Sequence, residues 1–111
     1  RHRSSAQQTE NLWSDGFLTL DFSTLTAIRG NEKIIVTSNE YKLLKILTEN
    51  AGNILTRQTL LERLWDVDTN FVDDHALTVT INRLRTKIED NTHTYIKTVR
   101  GVGYAWMGAA V

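Results

Sequence analysis

The chain of 111 residues contains no cysteine. It can therefore form neither a disulfide framework nor a thiolate site, which fits a reducing compartment. Its longest apolar stretches are only a few residues, such as Ile34–Val36, whereas a membrane-spanning helix needs roughly 18 to 20. The polar start, residues 1–8, lacks the basic and apolar pattern of an export signal. We expect one globular domain in the cytoplasm, with no membrane partner.

Groups suited to catalysis or metal binding are also scarce. The three histidines, His2, His75 and His93, are far apart and show no metal-ligand spacing. Asp73 and Asp74 could form a carboxylate pair, but at the start of a helix their position favours a capping role. The segment G-V-G is not followed by a helix and so does not predict a phosphate loop. The sequence therefore predicts no enzyme, no metal site and no cofactor.

The chain has no excess of charge of one sign, because 13 basic side chains balance 13 acidic ones. The charges are nevertheless unevenly distributed. Residues 75–100 contain five cationic and two acidic side chains, a balance of plus three, and residues 1–74 carry the opposite balance. A basic C-terminal part suits a DNA-binding module of which only that part faces phosphates. Ordinary scatter of surface charge would explain the asymmetry about as well.

The first third of the chain predicts strands. Residues 1–11 contain almost no apolar side chain and predict a flexible tail or linker, so the domain is expected over residues 12–111. Within Leu12–Val36, short apolar runs alternate with turn formers such as S-D-G and G-N-E. This pattern predicts three or four short antiparallel strands.

Two helices are expected next. The sequence T-S-N-E from Thr37 predicts a capping box and a helix up to Asn50, which Gly52 should end in a left-handed conformation. Thr56 is a second N-cap candidate, and the apolar residues after it predict a short helix ending near Trp65.

The clearest helical pattern lies between Asp74 and about Asp90. Its apolar residues recur at spacings of four, three and four and form one narrow stripe: Leu77, Ile81, Leu84 and Ile88. The face opposite this stripe is polar and basic, and it contains His75, Val79, Asn82, Arg83 and Thr86. Arginine can pair with guanine, asparagine with adenine, and a methyl-bearing side chain can pack on thymine. For an amphipathic helix taken alone, a face exposed only to water is the more common interpretation.

The C-terminal segment predicts a β-hairpin. Y-I-K-T-V and Y-A-W-M flank the turn R-G-V-G, in which glycine can adopt positive φ. Arg100 lies at the tip of this turn and could enter a minor groove, although an isolated R-G turn is more simply a solvated hairpin. A basic helix followed directly by such a hairpin is the pattern expected of a winged helix.

Three segments carry a resemblance to a known family: TSNEYKLLKILTENAGNILTRQTLLERLW, INRLRTKIE and IKTVRGVGY. They resemble the effector domain of OmpR/PhoB-type bacterial response regulators, from Leu12 to about Met107. The resemblance implies an α+β winged helix-turn-helix with an N-terminal antiparallel four-stranded sheet, a three-helix core and a C-terminal β-hairpin wing. It also implies sequence-specific binding to double-stranded promoter DNA, with residues 74–90 as the recognition helix in the major groove.

The resemblance assigns roles at the DNA by position. The residues expected to read or line the major groove are Asn82, Arg83, Arg85, Thr78, Val79 and Thr80. The minor-groove residue is Arg100. The residues expected beside the phosphate backbone are Trp65, His75, Thr98 and Tyr104, with Arg57 and Lys87 as further candidates. Trp65 and Tyr104 could equally be core residues, since both types bury well while keeping a polar tip.

Two positions depart from the family pattern. Many members carry Asp where this chain has Thr78, and Arg where it has His75. Losing the carboxylate removes an internal partner for a neighbouring arginine, and histidine is mostly uncharged at neutral pH. The operator sequence of a relative is therefore not expected to apply to this chain.

Further partners follow from the same resemblance. A receiver domain would be joined covalently before residue 1, and the regulator would dimerise on DNA whereas the isolated domain would be a monomer. RNA polymerase could contact the loop made of Asp66, Val67, Asp68, Thr69, Asn70, Phe71, Val72 and Asp73. Two alternatives stay open: the same domain in an activator without a receiver, and a winged helix that only docks to proteins.

Overall fold

The computed structural model describes residues 11–67 and 74–109, apart from the side chains of residues 65–67. The described part opens with a four-stranded antiparallel sheet in sequential strand order. Its strands are β1 (Leu12–Ser14), β2 (Leu18–Asp21), β3 (Thr26–Arg29) and β4 (Glu32–Ile34). One face of the first three strands is buried, through Trp13, Leu18, Leu20 and Ala27. The predicted four-stranded sheet is confirmed.

Asp15 organises the turn between β1 and β2. Its Oδ1 accepts the N–H groups of Phe17 and Leu18 at 2.9 and 2.8 Å, and Gly16, between Asp15 and Phe17, has a positive φ of 92°. Its Oδ2 accepts a hydrogen bond from the Tyr95 hydroxyl at 2.6 Å. Burial raises the pKa of Asp15, but these hydrogen bonds outweigh burial and hold the pKa below its ordinary value. The turn is thereby attached to the C-terminal part of the chain.

The first helix, α1 (Ser38–Glu49), begins with the predicted capping box. Thr37 Oγ1 accepts the Glu40 N–H at 3.2 Å, and the Glu40 carboxylate accepts the Thr37 N–H at 2.9 Å. The prediction that Gly52 ends this helix is wrong, because the helix ends earlier. Gly52 has a positive φ of 85°, but its N–H donates to the Trp106 carbonyl at 2.9 Å and so belongs to the following turn.

A short strand, β5 (Ile54–Thr56), precedes the second helix, α2 (Arg57–Val67). The sequence did not predict β5. Thr56 caps α2 as predicted, because its Oγ1 accepts the Thr59 N–H at 3.0 Å. The helix continues beyond Trp65, where its end was expected. Together β5 and the cap fix where α2 begins.

The third helix, α3 (Asp74–Ile88), buries its whole predicted stripe. Leu77, Ile81, Leu84 and Ile88 are all fully buried. The helix ends before Asp90, which instead shapes the following turn. Backbone and side-chain hydrogen bonds from Thr92 and His93 lower the pKa of Asp90 to about 2. Among the residues the structure describes, no helix is long and apolar enough to cross a membrane.

The C-terminal hairpin, the wing, consists of β6 (Ile96–Val99) and β7 (Gly103–Trp106). Strand β7 also pairs with β5, which gives a three-stranded sheet in the order β5-β7-β6. Trp106 connects this sheet to the N-terminal one. Its ring stacks on Tyr95 at 5.3 Å and meets Trp13 edge-on at 5.2 Å, measured between ring centroids. The three helices and two sheets therefore share one core.

Arg29 of β3 holds the C-terminal end of α3. Its Nη1 donates to the carbonyl oxygens of Lys87 at 2.9 Å, Glu89 at 3.3 Å and Thr86 at 3.5 Å. The last carbonyls of a helix have no partner within the helix and carry partial negative charge. A guanidinium at this place satisfies them and attaches α3 to the N-terminal sheet.

We expect Arg29→Gln to lower the free energy of unfolding by about 1 kcal/mol, because a partly exposed cation is removed from a helix C-terminus. Amide hydrogen exchange in the last turn of α3 should also accelerate. Urea unfolding and hydrogen exchange measured by NMR would test both effects. Lys33→Gln is the matched control, since Lys33 is an exposed cation on the neighbouring strand. Equal effects of the two substitutions would contradict the role of Arg29.

Candidate nucleic-acid interface

The face of α3 opposite its buried stripe is largely exposed. His75, Asn82, Arg83 and Thr86 are exposed, as the helical pattern predicts. Val79 is half-buried, so the expectation that its side chain is exposed is wrong. The helix therefore presents a polar and basic surface with one partly accessible apolar group near its centre.

Arg83 differs from the other cations of α3. Within residues 11–67 and 74–109, its guanidinium makes no hydrogen bond and no ion pair, whereas Arg85 and Lys87 each have protein partners. The Asn82 side chain is likewise without a partner in that part of the chain. Four of the five N–H groups of a guanidinium lie in two pairs, and each pair can form two parallel hydrogen bonds. Arg83 can therefore bind a planar acceptor through two hydrogen bonds at once.

Arg57, the first residue of α2, lies against the N-terminal end of α3. Its Nε donates to Asp74 Oδ1 at 3.2 Å, and its Nη2 donates to the Asp74 carbonyl at 2.9 Å and to Thr78 Oγ1 at 2.5 Å. Its Nη1 donates to the Tyr104 hydroxyl at 2.7 Å. Burial lowers the pKa of Arg57, but the contacts with Tyr104 and Asp74 outweigh burial and hold it above its ordinary value. One guanidinium thus joins α2, α3 and the wing.

Position 78 is one of the two departures from the family pattern. Thr78 still contacts Arg57, but through a neutral hydroxyl. The carboxylate near this arginine comes from Asp74, one turn earlier on the same helix. The other departure, His75, is exposed at the start of α3.

Tyr104 of β7 is a core residue with its hydroxyl at the interface. Only 4% of its surface is exposed. The guanidinium carbons of Arg57 and Arg85 lie 5.5 and 5.8 Å from the ring centroid. Arg85 also donates to the Ile96 carbonyl at 3.1 Å and to the Thr98 hydroxyl. Arg85 therefore connects α3 to the wing.

Lys87 and Thr80 lie on the other flank of α3. Lys87 Nζ is 2.7 Å from Glu40 Oε1, and the Glu40 side chain is only 3% exposed. The same carboxylate closes the capping box of α1, so this ion pair attaches α3 to the beginning of α1. Thr80 Oγ1 donates to the Ala76 carbonyl at 2.9 Å within the helix. Sequence alone did not indicate that Glu40 partners Lys87.

The wing presents a second basic surface. Arg100, at its tip, is exposed, and within the described ranges its guanidinium makes no hydrogen bond or ion pair. The hairpin turn is closed by the Val102 N–H, which donates to the Val99 carbonyl at 2.9 Å, and Gly101 has a φ of 76°. Lys97 is also exposed, and no sequence motif indicates a role for it.

Two predicted contacts fall outside what the structure describes. The side chain of Trp65 is one of them. The other is the predicted polymerase loop, residues 66–73. Residues 68–73 are not described, and neither are the side chains of Asp66 and Val67. In the remaining chain, no group of three or more His, Cys, Asp or Glu side chains is arranged to hold a metal ion.

Comparison with known proteins gives the same family as the sequence motifs. The profile of the family described as "Transcriptional regulatory protein, C terminal" matches residues 31–106, which is more than half of the chain. The chain belongs to this family, the OmpR/PhoB-type winged-helix domain. Its members are domains of transcriptional regulators rather than enzymes. The predicted fold and the predicted family are both confirmed.

Relatives of this OmpR/PhoB-type domain include response regulators. The response regulator GtcR of Aneurinibacillus migulanus is 44% identical over 92 residues, covering 80% of this chain and 38% of that protein. The response regulator DrrB of Thermotoga maritima is 36% identical with a TM-score of 0.77, covering 88% of this chain and 45% of that one. The chain thus spans less than half the length of these regulators.

A solved complex with DNA is also similar. The DNA-binding domain of RstA from Klebsiella pneumoniae, in complex with the RstA box, is 34% identical with a TM-score of 0.72. The similarity covers 86% of this chain and 96% of that domain. The likeness is therefore to a whole DNA-binding domain as well as to part of longer regulators.

Proposed function

We propose that this domain binds double-stranded promoter DNA in a sequence-specific manner, as the output domain of a response regulator that regulates transcription. One observation carries the proposal: the exposed basic face of α3 contains Arg83, a fork-shaped cation without a partner in the described chain. The solved RstA domain, which is similar along most of this chain, is in complex with its DNA box. DNA is a partner whose acceptors match such a cation.

In this proposal α3 enters the major groove, and the most exposed side chains read bases. Arg83 pairs with guanine and Asn82 with adenine, since these pairings use both hydrogen-bonding edges of each side chain. Thr78, Val79 and Thr80 line the groove. Arg100 enters the adjacent minor groove, where negative potential attracts an arginine on a narrow projection.

The remaining predicted contacts are assigned to the phosphate backbone. They are Arg57, Trp65, His75, Thr98 and Tyr104, the last through its hydroxyl. Arg85 stays among the residues proposed to lie at or near the bases, and Lys87 contributes a flanking charge. Both also orient α3, because their hydrogen-bonding groups contact Thr98 and Glu40. His75 supplies a contact from the exposed start of α3.

For the whole regulator, we propose a receiver domain that precedes this chain and promotes dimerisation on DNA. The lengths of the relatives support this proposal, since the chain covers only 38% of GtcR and 45% of DrrB. Two linked domains would bind adjacent half-sites more tightly than one domain can. The loop of residues 66–73 would contact RNA polymerase. The same domain in an activator without a receiver is the alternative.

The first test is selection of binding sites from a pool of random duplex DNA at low salt. The expected result is enrichment of a short motif by the wild-type domain. Arg100→Ala should weaken binding to that motif, because it removes the minor-groove contact. Recovery of no duplex at any salt concentration would contradict the proposal and would favour a protein-docking winged helix instead.

A further inference from the structure

We propose that the Asp74 carboxylate competes with DNA phosphate for Arg57. It pairs with this guanidinium in the free domain and must release it when a phosphate binds. The inference rests on the proposed DNA-binding function and assigns a role to a residue that the contact predictions do not include. Asp74 would thereby set the affinity of the domain for all duplex DNA, whatever its sequence.

Arg57 makes two kinds of contact, several with neutral oxygens and one with an anionic oxygen. Three hydrogen bonds go to neutral oxygens, those of the Tyr104 hydroxyl, the Thr78 hydroxyl and the Asp74 main-chain carbonyl. Only the bond from Nε, at 3.2 Å, goes to an anionic oxygen, Asp74 Oδ1. If a phosphate takes the place of this carboxylate, the three neutral bonds still hold the guanidinium in position. The exchange therefore requires no movement of α2 relative to α3.

Burial decides which ion pair of this surface can be exchanged. The side chains of Arg57 and Lys87 are equally accessible, 31% and 30% exposed. Their carboxylate partners differ strongly: Asp74 is 67% exposed and Glu40 only 3%. Leaving Glu40 without its cation would strand a buried charge, whereas water solvates Asp74 after the exchange. Of these two cations, Arg57 is the one that can pass from carboxylate to phosphate.

Removing the Asp74 charge should therefore tighten DNA binding. We expect Asp74→Asn to raise the affinity up to about fivefold, the equivalent of one exposed ion pair. The increase should be similar on a selected site and on an unrelated duplex, because phosphates carry no sequence information. The logarithm of the affinity should also fall more steeply with the logarithm of salt concentration, by up to about one unit of slope. Asparagine keeps the size and one side-chain oxygen of aspartate, and only a favourable charge in the first turn is lost, so α3 should be retained.

A double-mutant cycle distinguishes this role from a general effect of net charge. Affinities of the wild type, Asp74→Asn, Arg57→Gln and the double variant would be measured on both duplexes by fluorescence anisotropy, with thermal unfolding as the check of folding. If Asp74 acts through Arg57, Asp74→Asn has no effect once Arg57 is Gln. Glu62→Gln, which removes an exposed carboxylate of α2, controls for net charge and should change affinity less than Asp74→Asn.

The same gain in both backgrounds, or no gain in the wild-type background, would overturn the competitor role of Asp74. A wild-type domain that binds neither duplex would overturn the proposed function itself, so the two failures are distinguishable. If Arg57→Gln does not fold, the NMR signal of the Arg57 Nε–H group gives a second test. Saturation of the wild-type domain with DNA should shift this signal, and an unchanged signal would contradict the exchange.

Discussion

Replacing Arg83 by alanine should lower the affinity for a selected DNA site by roughly 10- to 100-fold, the worth of one two-pronged contact to guanine. The affinity for an unrelated duplex should fall much less. The physical reason is that Arg83, unlike the other cations of α3, is exposed and has no protein partner in the described chain. Fluorescence anisotropy on both duplexes, at one fixed salt concentration, would measure the ratio.

Two controls sharpen this prediction. Arg83→Lys keeps the charge but loses the planar fork, so it should also reduce discrimination between the two duplexes. Lys97→Ala removes a similarly exposed cation from the wing, and it should weaken both complexes by similar factors. Equal losses for Arg83→Ala on the two duplexes would show that Arg83 contacts phosphate rather than a base. The unfolding free energy should stay within about 0.5 kcal/mol of the wild type, as for most surface positions.

The parts of the fold that sequence could predict are those encoded by local spacing. The buried stripe of α3 recurs at helical intervals, and all four of its residues are buried. The capping box needs only Thr37 and Glu40, three positions apart, and both of its hydrogen bonds are present. Turn formers placed the strands of the first sheet in the same way. Each of these signals lies within one turn or one element, where pattern and structure are directly linked.

The contacts that sequence could not predict join distant positions. Glu40 and Lys87 are 47 residues apart, and Arg29 lies 58 residues from the carbonyl of Lys87. Strand β5 has only three residues, and its alternation is too short to distinguish from a loop. It forms because β7 offers a free edge for pairing. Such features depend on the packing of whole elements, which no local pattern reports.

The same distinction applies to the candidate interface. Arg57, Arg83, Arg85 and Lys87 are all cations on or beside α3, and sequence alone does not show which of them have protein partners. The structure separates them by their partners: Arg85 contacts Thr98, Lys87 pairs with a buried carboxylate, and Arg57 pairs with an exposed one. Arg83 has none of these contacts. Of these four cations, Arg83 is therefore the one without a protein partner in the described chain.

Gly103→Ala should be among the most damaging substitutions, with a loss of about 3 kcal/mol or more in the free energy of unfolding. Gly103 lies in the central strand of the β5-β7-β6 sheet, opposite Thr56. A methyl group at Gly103 would lie 2.0 Å from the Leu55 carbonyl oxygen and 2.8 Å from Thr56 Cα. Both are backbone atoms, so no rotation of a side chain relieves the clash. Urea unfolding followed by tryptophan fluorescence would measure the loss.

The nearby Gly101→Ala provides the matched control for Gly103→Ala. Gly101 has a φ of 76° but no other atom within 4 Å of the added carbon, so its substitution costs only about 1 to 2 kcal/mol of backbone strain. Gly103→Ala should also reduce DNA binding, because separating β7 from β5 breaks the hydrogen bond from the Arg57 N–H to the Val102 carbonyl. Arg57 and the wing would then lose their fixed relation. Equal costs for the two alanine substitutions would mean that β5 can move away from β7 without loss, and that the wing is not held by this pairing.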